Sequence, residues 1–253
     1  IQPDLILDFG SVRDTYVDLA NRVQDQTGIP YILIDGRFEN TPAALRLLAE
    51  RFLGPTWSVM MSDVTAGDRG NTERAAYLYD ARRVQPSGLA GEIVLPPTDD
   101  GDPQEQFDRT PYLVGFIAGG ERFALLTAHI RYGEDLSARV PELRKLARYT
   151  AEEKRDRSRF ANAEEANLIV LGDFNAAPWS AAVGRVAETL DVEIVGGLRE
   201  TWRSRFAGPL GPLGALLALQ IDAMLVSRGV GIDRLDTFPI PGSDHLGLVA
   251  GVR

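Results

Sequence analysis

Cysteine is absent from the 253-residue sequence, which excludes disulfide bonds, cysteine nucleophiles and thiolate metal sites. No apolar stretch reaches the roughly 18–20 residues that a membrane-spanning helix needs. Lysine occurs only as Lys145 and Lys154, so arginine carries nearly all of the positive charge and suits bidentate contacts with phosphate or carboxylate. The composition, 44% hydrophobic and 25% charged, is that of an ordinary globular protein and excludes disordered and fibrous classes.

Positive charge is in deficit overall, since the formal net charge is −9 at pH 7. A chain of this charge is not a general nucleic-acid binder, because non-specific binding to phosphates relies on a net positive field. A nuclease that uses a few local basic groups is compatible with it. Because the first residue is Ile1 rather than methionine, we expect that any signal peptide is already gone. Whether the soluble protein is cytoplasmic or exported is left open.

Short apolar runs alternate with helical patterns along the whole chain, which predicts an α/β fold with helices covering the sheets. The predicted strands are residues 5–7, 31–34, 57–61, 75–79, 112–117, 123–128, 168–171, 223–226 and 248–252. The predicted helices are residues 13–26, 42–52, 137–159 and 181–190. Two long loops are predicted at residues 96–111 and 196–219. Within the second, residues 207–219 are apolar and form either a buried connector or an apolar lip beside a site.

The strongest chemical signal is the segment LIVLGDFN at residues 168–175, where a buried strand ends at Gly172. Asp173 and Asn175 are two residues apart, so both side chains are expected to leave the strand end on the same side. An aspartate there can orient or deprotonate a nucleophile, and an asparagine can donate to an oxyanion. A capped loop without catalytic function would use the same residues.

The chain has only two histidines, His129 and His245, and each lies beside a predicted strand. A single histidine is more often structural, but two in these places favour catalysis. Each has a candidate carboxylate partner, Glu73 for His129 and Asp222 for His245. A carboxylate at the second ring nitrogen fixes the tautomer and favours the charged imidazole.

Five segments together resemble the endonuclease/exonuclease/phosphatase superfamily, the deoxyribonuclease-I-like proteins: TERAAYLYDARRV, LLTAHIRYGE, LIVLGDFN, IDAMLVS and GSDHLGLVAGV. The resemblance covers residue 55 to the C-terminus well and the first fifty residues poorly. It implies a four-layer α/β/β/α sandwich, two packed mixed β-sheets flanked by helices, formed by residues 1–253 as a single domain. It also implies divalent-metal-assisted cleavage of phosphoester bonds at one end of the sheets.

The resemblance also implies roles for the two histidines and their carboxylates. His245 resembles the family's central histidine on the attacking side, with Asp222 as its orienting carboxylate. His129 resembles the second histidine and would be paired with Glu73. All four are therefore candidate catalytic residues.

Four further positions match the family's site. Asp173 and Asn175 resemble the residues that position the nucleophilic water and stabilise the transition state. Asp244 resembles an acidic residue at the metal and the phosphate. Arg109 lies where some nucleases of the family have an arginine that binds phosphate, so Arg109 and Asn175 are the candidate phosphate-binding residues.

The metal site is where the sequence departs from the family, which shows Asn after the first strand and a Gln-Glu pair after the second. Here Asp8 and Asp35 close the corresponding predicted strands. With Asp244 they are the candidate ligands of Mg²⁺ or Mn²⁺, since aspartate binds these ions through oxygen as glutamate does. The alternative is that both residues cap turns and that the metal site is not functional.

The resemblance, with candidate residues present for each role, implies a metal-dependent phosphoester hydrolase of the phosphodiesterase, nuclease or phosphatase type. Its substrate class is open among a small phosphoester, a lipid headgroup and nucleic acid, and we expect a monomer. An alternative is a member of the same fold that performs metal-free acid–base chemistry on a non-phosphate small molecule, because fold does not dictate chemistry. A binding module without catalysis is disfavoured, since a scaffold has no physical need for this set of acids, amide and imidazole.

Overall fold

A computed structural model describes residues 45–46, 48–63, 74–132, 136–155, 167–203, 218–239 and 244–253. The predicted strands 5–7 and 31–34 and the predicted helix 13–26 lie outside these ranges. The candidate site residues Asp8, Asp35 and Glu73 lie outside them as well. Among the described residues, no helix is both long enough and apolar enough to cross a membrane.

Strands and helices alternate along the described part of the chain, beginning with a π-helical turn at Leu48–Leu53. The strands are β1 (Trp57–Met61), β2 (Ala76–Asp80), β3 (Val84–Glu92), β4 (Tyr112–Ala118), β5 (Glu121–Thr127), β6 (Asn167–Asp173), β7 (Val192–Ile194), β8 (Trp202–Arg203), β9 (Ala218–Leu219), β10 (Asp222–Ser227), β11 (Ile232–Pro239) and β12 (Leu246–Val252). The α-helices are α1 (Leu136–Arg155) and α2 (Ala181–Leu190). This order confirms the predicted α/β class.

The largest sheet has six strands in the order β3-β4-β5-β6-β10-β7. It is mixed, because β5 and β6 run parallel while the other neighbours are antiparallel. A parallel pair needs a crossover connection, and α1 lies in the chain between β5 and β6. The strands β1 with β2, β8 with β9, and β11 with β12 form three further antiparallel pairs.

One face of the six-stranded sheet is covered by the two helices. Side chains alternate along a strand, and on this face Leu126, Val170 and Leu225 belong to the same buried cluster as Leu146 of α1 and Val183 of α2. Fully burying an aliphatic side chain of this size contributes about 1.5–3 kcal/mol relative to leaving it in water. The helices therefore form the first layer and the sheet the second.

The opposite face packs against the strand pairs β1–β2 and β11–β12. Ile169 and Met224 cluster there with Tyr77 of β2 and Leu235 of β11. The buried hydroxyl of Tyr77 donates to the backbone carbonyls of Tyr112 and Leu125, at 2.9 and 3.1 Å. Because a buried phenol needs such partners, these bonds fix how β2 lies on the large sheet.

A fourth layer covers the outer face of β2. Ala76 and Leu78 point away from the large sheet and cluster with Leu45 and Ala49 of the helical segment that precedes β1. The described residues therefore stack as helix, sheet, strand pairs and helix, which are the four layers that the resemblance implies.

Several strands differ from the sequence-based prediction. β3 was not predicted because its sequence, VQPSGLAGE, contains Pro86 and two glycines and alternates weakly. β11 was not predicted because Asp233, Arg234 and Asp236 are exposed along it, and only one face is apolar. The predicted loop 196–219 contains the short strands β8 and β9. The loop prediction was therefore wrong for the residues of these two strands. The predicted loop 96–111 is irregular, as expected.

Gly172 permits the closest approach between β6 and the end of β5. Its φ is 140°, and a Cβ atom placed on it would lie 2.1 Å from the carbonyl oxygen of Ala128. No Cβ tolerates an oxygen so close, so only glycine allows Ala128 and the next residue, His129, to lie beside β6. This glycine is part of the GDFN segment singled out by the sequence.

We expect Gly172→Ala to lower the free energy of unfolding by at least about 2 kcal/mol, because both φ and the Ala128 carbonyl oppose a Cβ. Gly184→Ala is the matched control. Gly184 lies inside α2 with no atom within 4 Å of where a Cβ would stand, and alanine should raise stability by about 0.5–1 kcal/mol. Urea denaturation of both variants measures the difference. Equal effects of the two substitutions would contradict this account of Gly172.

Candidate active site

Four polar side chains meet at one edge of the six-stranded sheet. β5 and β6 are parallel, so His129, which follows β5, lies beside Asp173, the last residue of β6. β10 runs antiparallel to β6, and its first residue, Asp222, is paired with Asp173. His245 immediately precedes β12 and is bridged to Trp202. The topology thus brings residues from four places in the chain to one edge.

The carboxylate of Asp173 lies between the two imidazoles. Its Oδ2 atom is 3.7 Å from Nε2 of His129 and 3.8 Å from Nε2 of His245. On the other side of the His245 ring, Nδ1 lies 3.1 and 3.2 Å from the two carboxylate oxygens of Asp222. The order of groups is therefore Asp222, His245, Asp173 and His129.

Backbone and amide contacts fix the carboxylate of Asp173. Its Oδ1 accepts the backbone N–H of Asn175 at 2.8 Å, which leaves Oδ2 directed towards the imidazoles. The carbonyl of Asp173 accepts the N–H of Ile130 at 2.8 Å. The side-chain amide of Asn175 donates to the carbonyl of Ile130 at 2.7 Å. These bonds tie the turn after β6 to the chain that follows His129.

Asn175 does not continue the strand alternation expected from the sequence. β6 ends at Asp173, and Asn175 has a φ of 47°, in the left-handed region that asparagine tolerates. The side chain of Asn175 therefore turns to Ile130. The guanidinium of Arg139 in α1 donates to the backbone carbonyl oxygen of Asn175. The amide has a second N–H, so donation to an oxyanion stays a prediction.

Thr201 and Trp202, which the sequence reasoning missed, hold the starts of β10 and β12. The fully buried hydroxyl of Thr201 accepts the N–H groups of Ile221 and Asp222, each at 3.0 Å. The indole N–H of Trp202 donates to the carboxylate of Asp244 at 3.3 Å. The N–H of Leu246, which follows His245, donates to the Thr201 carbonyl at 2.7 Å. Together these bonds place the starts of the two strands relative to each other.

Residues 93–245, from the end of β3 to the histidine before β12, match the Endonuclease/Exonuclease/phosphatase family. The chain belongs to this family. The match includes every described candidate site residue, and it confirms the family resemblance found in the sequence.

One relative is the deoxyribonuclease of Thioalkalivibrio sp. (strain K90mix), which is 31% identical over 155 residues. The match covers 59% of this chain and 39% of that protein, so the chain spans well under half the length of this relative.

Two solved structures show the fold. The D. rerio TDP2 structure, complexed with a single-strand DNA product, is 18% identical with a TM-score of 0.59, covering 96% of this chain and 92% of that one. The Bacteroides thetaiotaomicron mannosyl-6-phosphatase is 16% identical with a TM-score of 0.58, covering 84% and 82%. The α/β sandwich predicted from the sequence is thereby confirmed.

Burial and neighbouring charges shift the pKa values of Asp173 and His245. Burial raises the pKa of Asp173 to about 6, and the charge of Asp222 acts in the same direction. Burial alone would lower the pKa of His245, but its hydrogen bond to Asp222 and the surrounding carboxylate charges outweigh that effect and raise the pKa to about 9. At neutral pH His245 is therefore an imidazolium, and Asp173 is mostly ionised.

The site offers oxygen donors that suit a divalent ion. Donor atoms of Asp173, Asp222 and His245 lie within 4.8 Å of one another. Carboxylate oxygens are the ligands that Mg²⁺ and Mn²⁺ prefer, and a cation would oppose the burial and the Asp222 charge that together raise the pKa of Asp173. Asp222 and His245 already bond each other, however, so an ion bound by all three would have to replace that bond. Asp244, beside them, is a further carboxylate, and Asp8 and Asp35 lie outside the described residues.

Arg109 lies in the irregular segment that leads into β4. Tyr112, the first residue of β4, is paired with Thr127, the last of β5. Arg109 precedes Tyr112 by three residues and is therefore near the same edge of the sheet as His129. Its binding to phosphate stays a prediction.

We expect the pKa of His245 to fall from about 9 towards its ordinary value in Asp222→Asn, because the amide supplies neither the charge nor the same acceptor for Nδ1. NMR titration of the metal-free protein measures this. Asp233→Asn is the control, since Asp233 is an exposed carboxylate at the start of β11, beside the far end of β12, and its loss should leave the titration unchanged.

The same pKa has a consequence for stability. Because it lies above the ordinary value, the contribution of His245 to folding is complete below about pH 6.5 and is lost as the pH rises through about 9. The free energy of unfolding of the metal-free protein should decline over that range, and the decline should be smaller in Asp222→Asn. An identical decline in both proteins would contradict the assignment.

Proposed function

We propose that the protein is a divalent-metal-dependent phosphoester hydrolase in which Asp173, His129 and the Asp222–His245 pair act on the attacking water and the phosphoryl group. The observation that carries the proposal is the buried carboxylate of Asp173 between two imidazoles, one of them held by Asp222. The family membership supports phosphoester hydrolysis as the reaction class.

Asp173 is the group best suited to orient water and accept its proton. Its pKa of about 6 makes it an ionised acceptor at neutral pH that is also basic enough to take up a proton. Asn175 assists indirectly, because its backbone N–H occupies Oδ1 and leaves Oδ2 for the water. Because only 7% of the Asp173 surface is accessible, few other waters compete at this atom.

His245 acts as a hydrogen-bond donor to the phosphoryl oxygens. With Nδ1 on Asp222, Nε2 carries its proton towards the side of Asp173. An imidazolium there would stabilise the negative charge that grows on the phosphoryl oxygens during attack. His129, whose Nε2 faces the same carboxylate oxygen, is placed to donate from the opposite side.

A divalent ion would be held by Asp244 together with the predicted ligands Asp35 and Asp8. When bound, it would supply positive charge that neutralises the phosphate and lets water approach an anionic substrate. Among the described residues, the clustered donors are those of Asp173, Asp222 and His245, and Asp244 adjoins this cluster in the chain, so the proposed ion would lie at this edge of the sheet.

We expect the substrate to be a phosphoester of which the protein contacts only a few phosphate groups. The relatives support both a nucleic-acid and a small-molecule phosphoester, since one is a deoxyribonuclease, one is complexed with a single-strand DNA product and one is a mannosyl-6-phosphatase. The net charge of −9 disfavours a long duplex, which would need a wide basic surface.

The central test is hydrolysis of a chromogenic phosphodiester and of single-stranded DNA, before and after removal of metal. We expect activity with added Mg²⁺ or Mn²⁺, none in excess EDTA, and a loss of about 10³-fold or more in kcat for Asp173→Asn and His245→Ala. Asp233→Asn serves as the matched control and should retain full activity. Undiminished activity after dialysis against chelator would overturn the metal-dependent function and favour metal-free acid–base chemistry.

A second test concerns the predicted ligand Asp35. Asp35→Ala should raise the metal concentration needed for the half-maximal rate, because a carboxylate ligand is lost. Asp35→Glu restores the side chain that the family shows and should preserve or strengthen metal binding. Isothermal titration with Mn²⁺ measures the affinity without requiring turnover. Wild-type affinity in Asp35→Ala would remove this residue from the site.

A further inference from the structure

Two large aromatic side chains are exposed in the chain segments that carry candidate site residues. Tyr132 is 76% exposed and follows His129 by three residues, and Trp179 is 65% exposed and follows Asn175 by four. Single exposed aromatics are ordinary on protein surfaces. Here both occur in the two segments that carry site residues, whereas the aromatic rings of the core, such as Phe116, are fully buried.

The two segments lie next to each other because β5 and β6 are parallel neighbours. The chain after β5 is bonded to the chain after β6 by the Ile130 N–H to the Asp173 carbonyl and by the Asn175 amide to the Ile130 carbonyl. Tyr132 and Trp179 therefore leave the sheet at the same edge as the catalytic groups.

The residue next to each ring is held by backbone hydrogen bonds. On one side, the N–H of Arg131 donates to the buried carboxylate of Glu142 in α1. On the other, Ser180 donates its N–H to the carbonyl of Ala177 at 2.8 Å, and its hydroxyl caps the start of α2. Exposed rings on fixed backbone lose little conformational freedom when a ligand covers them, which favours binding.

The charge around these rings favours a ligand held by stacking rather than by many phosphate contacts. Arg131, next to Tyr132, makes two hydrogen bonds of 2.7 Å with Asp108 and one of 3.1 Å with Glu105. Its charge is thus already matched by two carboxylates. An unpaired nucleobase offers an open π-face to an aromatic ring, whereas the bases of a duplex are stacked on each other.

We propose that Tyr132 and Trp179 form a stacking platform for unpaired nucleobases next to the scissile phosphate, so that the substrate is single-stranded or a short nucleotide. The inference rests on the proposed function and specifies its substrate class. It uses two side chains that have no role in the proposed chemistry.

Equilibrium binding in excess EDTA tests the platform without requiring hydrolysis. The probes are a fluorescein-labelled oligothymidylate and an oligomer of equal length in which abasic residues replace the nucleosides, so that the backbone charge is the same. We expect wild-type protein to bind the base-bearing oligomer about tenfold more tightly, and Trp179→Ala and Tyr132→Ala each to remove most of that preference. Trp179→Phe and Tyr132→Phe keep a ring and should retain it.

Val252→Ala is the matched control, since Val252 is 49% exposed at the end of β12 remote from His245, and it should bind as the wild type does. Equal binding of the two oligomers by wild-type protein, or wild-type preference in both alanine variants, would overturn the platform. If the preference is present but added metal supports no hydrolysis of any phosphoester, the platform stands and the proposed function fails. If metal-dependent hydrolysis is present without the preference, the platform fails and the proposed function stands.

Discussion

The parallel pairing of β5 with β6 is the constraint on which the site depends. It directs His129 and Asp173 to one edge of the sheet, and Gly172 lets the two strand ends approach closely enough for their side chains to share a centre. The antiparallel neighbour β10 then begins where β6 ends, so Asp222 arrives opposite Asp173. The site is therefore a product of strand direction, and each of these residues is placed by the end of a buried strand.

The buried charged groups at this edge of the sheet alternate in sign. Two carboxylates, Asp173 and Asp222, lie on either side of the His245 ring, and the ring carries a proton that offsets part of their repulsion. Such a cluster is destabilising in a low-dielectric environment unless each group is bonded. Thr201 and Asn175 contribute by holding the backbone around it. The same burial that opposes folding keeps the pKa of Asp173 close to neutral pH.

Local patterns in the sequence were sufficient to predict many of the strands and helices of the fold. The continuous apolar run before Gly172 predicts a buried strand, which the structure contains as β6, and the acid and amide that follow it are candidate site residues. β11 was missed because charged residues occupy its exposed face, and β3 because Pro86 and its glycines are atypical of strands.

The contacts made by Thr201, Trp202 and Arg139 could not be predicted, because each joins positions 20 to 42 residues apart. A local sequence pattern does not indicate a hydrogen-bond partner that is so far away in the chain. The family resemblance identified the candidate catalytic residues, since these lie in motifs. The residues that hold them in place lie in segments whose sequence is typical of an ordinary loop or helix.

The buried carboxylate of Glu142 has one further consequence. Its two oxygens accept the N–H groups of Asp108 and Arg131, so one side chain of α1 holds both the segment before β4 and the segment after β5. A shift of α1 along the sheet would carry Arg109 and His129 together. The helix that covers the core therefore also sets how the segment that carries Arg109 lies relative to the segment that carries His129, and a change on α1 can move both candidate site segments at once.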